Sequence, residues 1–186
     1  METRSKLLLT SSFLVNPNEN FDMVMPIKPH TLPTNSLLQP YANREGCYTD
    51  CYATDLPADI PLPDYITAFY TTPLFKLERF ILKIAVRRPS TDQDVIALAN
   101  TETTRFAAWD VEGRTDSQLL MCDLAGRTRS WFMVEPTATG TRLYFGSAVT
   151  PIIGTAKRGV TFNLLLPFHK IYSRALLWSA VRRLKR

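Results

Sequence analysis

Three side chains in the last quarter of the chain could transfer protons or hold a polar ligand: Ser147, His169 and Tyr172. A serine, a histidine and a carboxylate make a nucleophilic triad when a strained turn presents the serine. Ser147 is expected inside a strand, so the pattern favours simple acid–base chemistry or ligand binding over a triad. Whether the chain catalyses a reaction stays open at this point.

Other kinds of site find little support in the sequence. No trio among the seven glycines has the spacing of a dinucleotide or Walker motif. The only histidines are His30, in a proline-rich segment, and His169, so we expect neither a metal centre nor a cofactor.

The charge of the chain is strongly asymmetric. Residues 1–135 contain 13 lysines and arginines and all 17 acids, whereas residues 136–186 contain nine bases and no acid. A basic C-terminal segment suits an anionic membrane surface as a partner, or it is a solvated helix face. Aromatic residues do not alternate with these bases as single-strand binders require, so nucleic acid is not expected as a partner.

Length and composition indicate one cytoplasmic domain. A chain of 186 residues suits a single core, and no apolar run approaches the ~20 residues that span a bilayer. Residues 1–25 have an interrupted apolar run without a cleavage motif, which predicts an unstructured leader before a domain at 26–186. Cys47 and Cys51 lie roughly 13 Å apart along a strand, too far for a disulfide, so a reducing compartment is expected.

Local signals place a strand and three helices in the first half. Alternation predicts a strand at Tyr48–Thr54. Helices are expected from Pro63, from Pro73 with Thr72 as its cap, and from a capping box that joins Thr91 and Asp94. In the second helix an apolar stripe is expected to pack inward and Glu78 and Arg79 to be solvated; the stripe contains Leu74, Leu77, Ile81, Ile84 and Ala85.

From Thr104 to Val149 the period is two, which predicts a meander of four antiparallel strands with turns near Gly113, Gly126 and Gly140. If the last two turns are three-residue loops, Asp123 faces Arg127 and Glu135 faces Leu143. One face of the sheet then carries Leu119, Met121, Arg129, Trp131, Met133, Leu143, Phe145, Ser147 and Val149. On the opposite face Phe132 would cover Gly146.

A helix is expected from Phe162 to Arg186, and it could pack on that first face. Its expected packing side consists of Phe168, Ile171, Tyr172, Ala175, Leu176 and Ser179, with a second apolar stripe at Leu177, Val181 and Leu184 that meets either the same chain or a membrane. The space between sheet and helix would be lined by Met121, Arg129, Trp131, Met133, Phe145, Ser147, His169 and Tyr172. Arg129 would anchor a carboxylate or hydroxyl there; alternatively it pairs with Asp123 above a solid core.

The order of elements resembles the helix-grip architecture of the START and birch-pollen-allergen superfamily, an α+β fold in which a curved antiparallel sheet wraps a long C-terminal helix. The segments GRTRSWFMVEP, GTRLYFGSAV and FHKIYSRALL are similar to a bacterial domain family of unknown function within that superfamily, and the likeness extends over about residues 45–182. It implies a cavity that accepts lipids, polyketides or other apolar molecules, and it implies no catalytic residue set.

The sequence therefore predicts a protein that binds a hydrophobic or amphipathic small molecule between its sheet and its C-terminal helix. Two alternatives stay open. One is an enzyme of cyclase or hydrolase type in the same pocket, and the other is a peripheral membrane protein that binds lipid through its basic C-terminal helix.

Overall fold

A computed structural model describes residues 26–85, 87–151 and 160–185, without the side chains of 81–83, 85 and 160–169. The predicted leader, residues 1–25, lies outside this description. In chain order the elements are β1 (Lys28–Pro29), α1 (Gln39–Ala42), β2 (Tyr48–Leu56), α2 (Leu62–Tyr70), α3 (Pro73–Ala85), α4 (Asp92–Ala99), β3 (Arg105–Phe106), β4 (Trp109–Arg114), β5 (Gln118–Asp123), β6 (Thr128–Thr137), β7 (Gly140–Val149) and α5 (Val160–Leu184).

The fold is α+β. In the described part of the chain, seven strands form one open antiparallel sheet in the order β1-β2-β7-β6-β5-β4-β3. The predicted four-stranded meander corresponds to β4–β7 and is confirmed. The turn expected at Gly113 is wrong, because β4 continues through that residue with a bulge after Val111 and the chain reverses between Arg114 and Gln118.

The helix starts follow local rules, and the structure confirms them. The Thr72 hydroxyl accepts a hydrogen bond from the Phe75 amide at 3.2 Å. Thr91 and Asp94 form the complete capping box at the start of α4. Each of these bonds satisfies an amide that has no partner within its own helix.

The predicted register of the last two hairpins is wrong by one residue in each. In the first hairpin the Asp123 carboxylate accepts hydrogen bonds from the amides of Arg127 and Thr128, which lengthens the loop to Leu124–Arg127. In the second, Thr137 pairs with Gly140, which shortens the loop to two residues. A slip of one residue moves every side chain of a strand to the other face.

The two faces of the sheet consequently have different members from those predicted. Met121, Phe145 and Ser147 do face the helices, but Arg129, Trp131 and Met133 lie on the opposite face. Gly146 pairs with Trp131 rather than Phe132, and a Cβ at Gly146 would lie 2.9 Å from the Trp131 ring.

The core between the sheet and the helices has a cluster of aromatic side chains among aliphatic ones, and we call it the helix-side core. Its centre is Phe69 of α2, whose ring centroid lies 4.7 Å from that of Phe132 and 4.9 Å from that of Phe145. Helix α5 packs mainly on α2 and reaches the sheet at β2 and β7. The sheet centre is therefore covered by α2, where the sequence predicted the C-terminal helix.

A second, smaller core on the other face of the sheet is covered by the segment that precedes β2, and we call it the lead-in core. Its buried members are Leu38, Cys51, Ala53, Leu120, Trp131, Met133, Tyr144 and Ala148. The buried Gln118 attaches this segment to the sheet. Its side-chain oxygen accepts hydrogen bonds from the Leu37 amide and the Trp131 indole, and its side-chain nitrogen donates one to the Asn35 carbonyl.

Two helices differ in part from the faces expected. In α5 Leu176 of the expected packing side is buried but Ile171 is 67% exposed, and Leu177 and Val181 are buried, which confirms that the second stripe packs within the chain. In α3, Leu77 and Ile84 are exposed, and the side chain of Arg79 is buried.

Candidate functional site

One cleft in the described part of the chain lies where α5 passes the edge of β2. Strand β1 pairs only with Tyr52 and Ala53, so the first residues of β2 extend beyond it. The cleft has a volume of 490 Å³ and is lined by Pro29, His30, Leu32, Tyr48, Thr49, Asp50, Cys51, Tyr52, Lys170, Ile171 and Arg174. We call it the β2–α5 cleft.

A polar cluster lies on the strand side of this cleft. The Asp50 carboxylate accepts hydrogen bonds from the Ser147 hydroxyl at 2.6 Å and the Ser147 amide at 3.0 Å. The Tyr48 hydroxyl donates to its other oxygen at 3.4 Å. Asp50 and Ser147 are paired in the register of β2 and β7, which fixes both side chains on the helix-facing side.

The helix side of the cleft is cationic. Lys170 and Arg174 are one turn apart on α5, and both are exposed. The Lys170 amine lies 5.9 Å from the centre of the Tyr48 ring. Within the described part of the chain neither side chain forms a salt bridge, so both charges face the cleft or solvent.

Cys51 lines the cleft, but its side chain is buried in the lead-in core and offers no reactive group. Burial, with a smaller contribution from Asp50, raises the pKa of its thiol to about 12. The thiolate is the nucleophilic form of cysteine, so Cys51 is protonated and inert at neutral pH. Cys51 and Cys122 form no disulfide in the described part of the chain.

Tyr172 belongs to a separate pair that joins α5 to α3. Its hydroxyl donates to the Glu78 carboxylate, although the sequence placed Glu78 on a solvated face. Burial raises the pKa of Glu78, and the hydrogen bond from Tyr172 offsets part of that shift. Burial and the neighbouring carboxylate raise the pKa of Tyr172. The pair therefore contains a carboxyl group that gains a proton more readily than an exposed one.

The raised pKa of Glu78 predicts a loss of stability as pH increases. Because the folded protein holds this proton more tightly than the unfolded chain, the free energy of unfolding falls as pH rises from the ordinary value of 4.5 through the folded pKa. Glu78→Gln should remove that fall and flatten the curve of unfolding free energy against pH, measured by urea denaturation.

The matched control is Glu45→Gln, which changes an exposed carboxyl group. Its curve should run parallel to that of the wild type. If the Glu78→Gln curve is also parallel to that of the wild type, the pKa of Glu78 is not raised in the folded protein.

The residues predicted to line one pocket are not gathered in one place. Arg129 donates to Glu112 at 3.1 Å and to the Gly126 carbonyl at 2.6 Å, and its guanidinium lies 4.5 Å from the centre of the Tyr41 ring. It is neither an anchor below α5 nor a partner of Asp123. Trp131 and Met133 fill the lead-in core, while Met121 and Phe145 are packed in the helix-side core.

Ser147 and Tyr172 remain near the candidate site, one within the polar cluster and the other in the pair with Glu78. The side chain of His169 lies outside the described part of the chain, so the proposed proton transfer through it stays a prediction. The residues that the sequence analysis missed are Tyr48, Asp50, Lys170 and Arg174. Alternation in YTDCY already places Tyr48, Asp50 and Tyr52 on one side of β2 and could have indicated the strand half of the site.

Two further features are absent from the described residues. No group of three or more histidine, cysteine, aspartate or glutamate side chains there could hold a metal ion. None of the helices there is long and apolar enough to cross a membrane.

Comparisons with known proteins give no assignment. No family model matches the chain, and no curated protein is significantly similar to it in sequence. The function is therefore inferred from the geometry of the cleft.

Proposed function

We propose that the protein binds a small amphipathic anion, with an apolar body and a carboxylate-like head, in the β2–α5 cleft. The observation that carries the proposal is the combination of apolar walls from Leu32, Tyr52 and Ile171 with the cations Lys170 and Arg174 around 490 Å³ of space. This volume is within the range of small-molecule sites, which are mostly apolar with a few polar groups that fix orientation.

The chemistry of the cleft supports binding more than catalysis. Ser147 donates its hydroxyl proton to a carboxylate that also receives two other donors, and the Cys51 thiol is protonated. Asp50 lines the cleft, but its carboxylate is held by these donors on the strand side. An anionic head would therefore be attracted to Lys170 and Arg174, away from Asp50.

The proposal extends to family and setting. The order of strand, helices, antiparallel meander and C-terminal helix supports a helix-grip domain of the START and birch-pollen-allergen superfamily, of bacterial type. The thiols of Cys51 and Cys122, which form no disulfide in the described part of the chain, support a reducing compartment such as the cytoplasm.

Calorimetric titration with decanoate and with uncharged decanol tests this function. Decanoate should bind at least about tenfold more tightly than decanol, since a charge-assisted hydrogen bond contributes ~1.5–3 kcal/mol. The double variant Lys170→Glu, Arg174→Glu should lose that preference for the anion.

The control changes two arginines further along the same helix, Arg182→Glu and Arg183→Glu, which conserves the change in net charge. This variant should bind decanoate as the wild type does. The proposal fails if wild-type protein does not bind decanoate, or if the two double variants bind it equally.

A further inference from the structure

Helix α3 buries Phe75 near its start, but further along it buries the charged Arg79 and half-buries Glu78, while three large apolar side chains face solvent. Arg79 is 8% exposed and donates to the Ser90 hydroxyl at 3.0 Å and to Asp92 at 2.7 Å. Glu78, beside it, accepts from Tyr172 of α5. An amphipathic helix of a globular protein normally buries its apolar stripe, so this orientation requires an explanation.

The outward face of α3 presents three large apolar side chains in a row. Leu77 is 58% exposed, Phe80 is 59% exposed and Ile84 is 66% exposed. Their spacing of three and four residues places them on one side of the helix. We call this row the α3 ridge. A contiguous apolar row of this kind on a surface marks a site of interaction.

Beside the C-terminal end of the α3 ridge is a cleft of 400 Å³ whose lining includes Arg87, Arg88 and Arg105. Arg87 has φ of 55°, a conformation that a residue other than glycine adopts at a cost. Arg105 pairs with Asp110. Among the described residues neither Arg87 nor Arg88 forms a salt bridge, so their charges are available to a partner. We call this site the arginine cleft.

The ridge and the arginine cleft form one continuous surface. Phe80 of the ridge lines a smaller depression together with Ser90, and Ser90 also lines the arginine cleft. The nearby carboxylates accept hydrogen bonds from neighbouring side chains. Asp92 accepts them from Lys76 and Arg79, and Asp94 accepts them from the amide and the hydroxyl of Thr91. The surface therefore combines exposed apolar area with positive charge.

We infer that this surface docks the protein on an anionic phospholipid bilayer, with the α3 ridge inserted among the acyl chains and Arg87 and Arg88 against lipid phosphates. Interfacial helices bind in this manner, with an apolar face below the headgroups and basic side chains at their level. Of the acids nearby, Asp92 and Asp110 are paired with bases, and the exposed Asp94 is outnumbered in the arginine cleft by Arg87, Arg88 and Arg105. Charge complementarity thus distinguishes a bilayer from a neutral apolar protein partner.

Vesicle sedimentation with the full chain tests the inference. The wild type should bind phosphatidylcholine vesicles that contain about 30% phosphatidylglycerol at least about tenfold more tightly than pure phosphatidylcholine vesicles, because each basic residue near such a surface adds ~1 kcal/mol. The double variants Leu77→Ser, Phe80→Ser and Arg87→Glu, Arg88→Glu should each weaken binding about tenfold or more. Circular dichroism melting establishes that each variant is folded.

Two controls locate the surface. Leu124→Ser removes a leucine that is 44% exposed at a hairpin, and Arg182→Glu, Arg183→Glu changes the charge of α5 by the same amount. Both should bind within about twofold of the wild type. The inference is overturned if the α5 variant loses binding while the Arg87, Arg88 variant keeps it, or if wild-type protein ignores anionic vesicles. It is equally overturned if sedimentation velocity shows that Leu77 and Phe80 hold two copies of the chain together.

Discussion

Replacing Gly140 with alanine should destabilise the protein by more than about 3 kcal/mol, the range expected when backbone atoms must separate. Gly140 has φ of 153°, and a Cβ added there would lie 2.0 Å from the Leu56 carbonyl oxygen and 2.6 Å from the Ala58 amide nitrogen. Both contacts are with backbone, which no change of side-chain rotamer can relieve. The end of β2 and the loop after it would have to move away from β7.

The comparison variant is Gly126→Ala. Gly126 also has positive φ, 65°, but a Cβ there would meet nothing within 4 Å. Only the left-handed conformation opposes the change, at a cost of ~1–2 kcal/mol. Urea unfolding measures both variants. If Gly140→Ala costs no more than Gly126→Ala, the close approach of β2 to Gly140 is wrong.

Phe69→Ala should cost about 3–5 kcal/mol, which is the usual range for truncating a buried phenylalanine. The Phe69 side chain is 1% exposed. Its ring packs against Phe132 of β6 and Phe145 of β7. The rings of Tyr70 and Phe75 also lie against it. Truncation removes these contacts and leaves a space that neighbouring rings cannot fill without leaving their rotamers.

The matched control is Phe80→Ala, which truncates the same side chain at a position that is 59% exposed. Its unfolding free energy should stay within about 0.5 kcal/mol of the wild type. Equal losses from the two variants in urea denaturation would mean that the helix-side core does not have Phe69 at its centre.

The observed packing agrees with the sequence-based alternative of a solid core in the region described.

Features governed by neighbours in sequence could be predicted, and the structure has them. The Thr72 cap and the Thr91–Asp94 box depend on side chains within three residues of the amides that they satisfy. The alternation in β2 depends only on a period of two. These signals were enough for the order of the longer elements and for the α+β class, whereas the short β1, α1 and β3 were not predicted.

The sheet register depended on a contact that loop length alone does not reveal. The Asp123 carboxylate accepts from two amides and adds a residue to its loop, whereas the close approach of Leu56 draws Gly140 into a strand. One loop is a residue longer than predicted and the other a residue shorter, and a slip of one residue in either sense exchanges the faces, so the two wrong registers agreed with each other. Trp131 and Met133 were assigned to the wrong face for this reason.

The orientation of α3 could not be obtained from its own periodicity. Arg79 turns inward because Ser90 and Asp92, beyond the end of the helix, satisfy its guanidinium. The candidate site was missed for a related reason. Lys170 and Arg174 meet Tyr48 and Asp50 only after α5 returns to the first long strand, and that return is a property of the whole fold.

The hydrogen bonds of the Gln118 side chain limit how far the chain can be shortened from its N-terminal side. Since Asn35 and Leu37 bond to the same glutamine that holds the Trp131 indole, a fragment that begins after Leu38 would open one side of the sheet to water. The minimal folding unit must therefore begin before Asn35, and the proline-rich segment before β2 belongs to the domain itself.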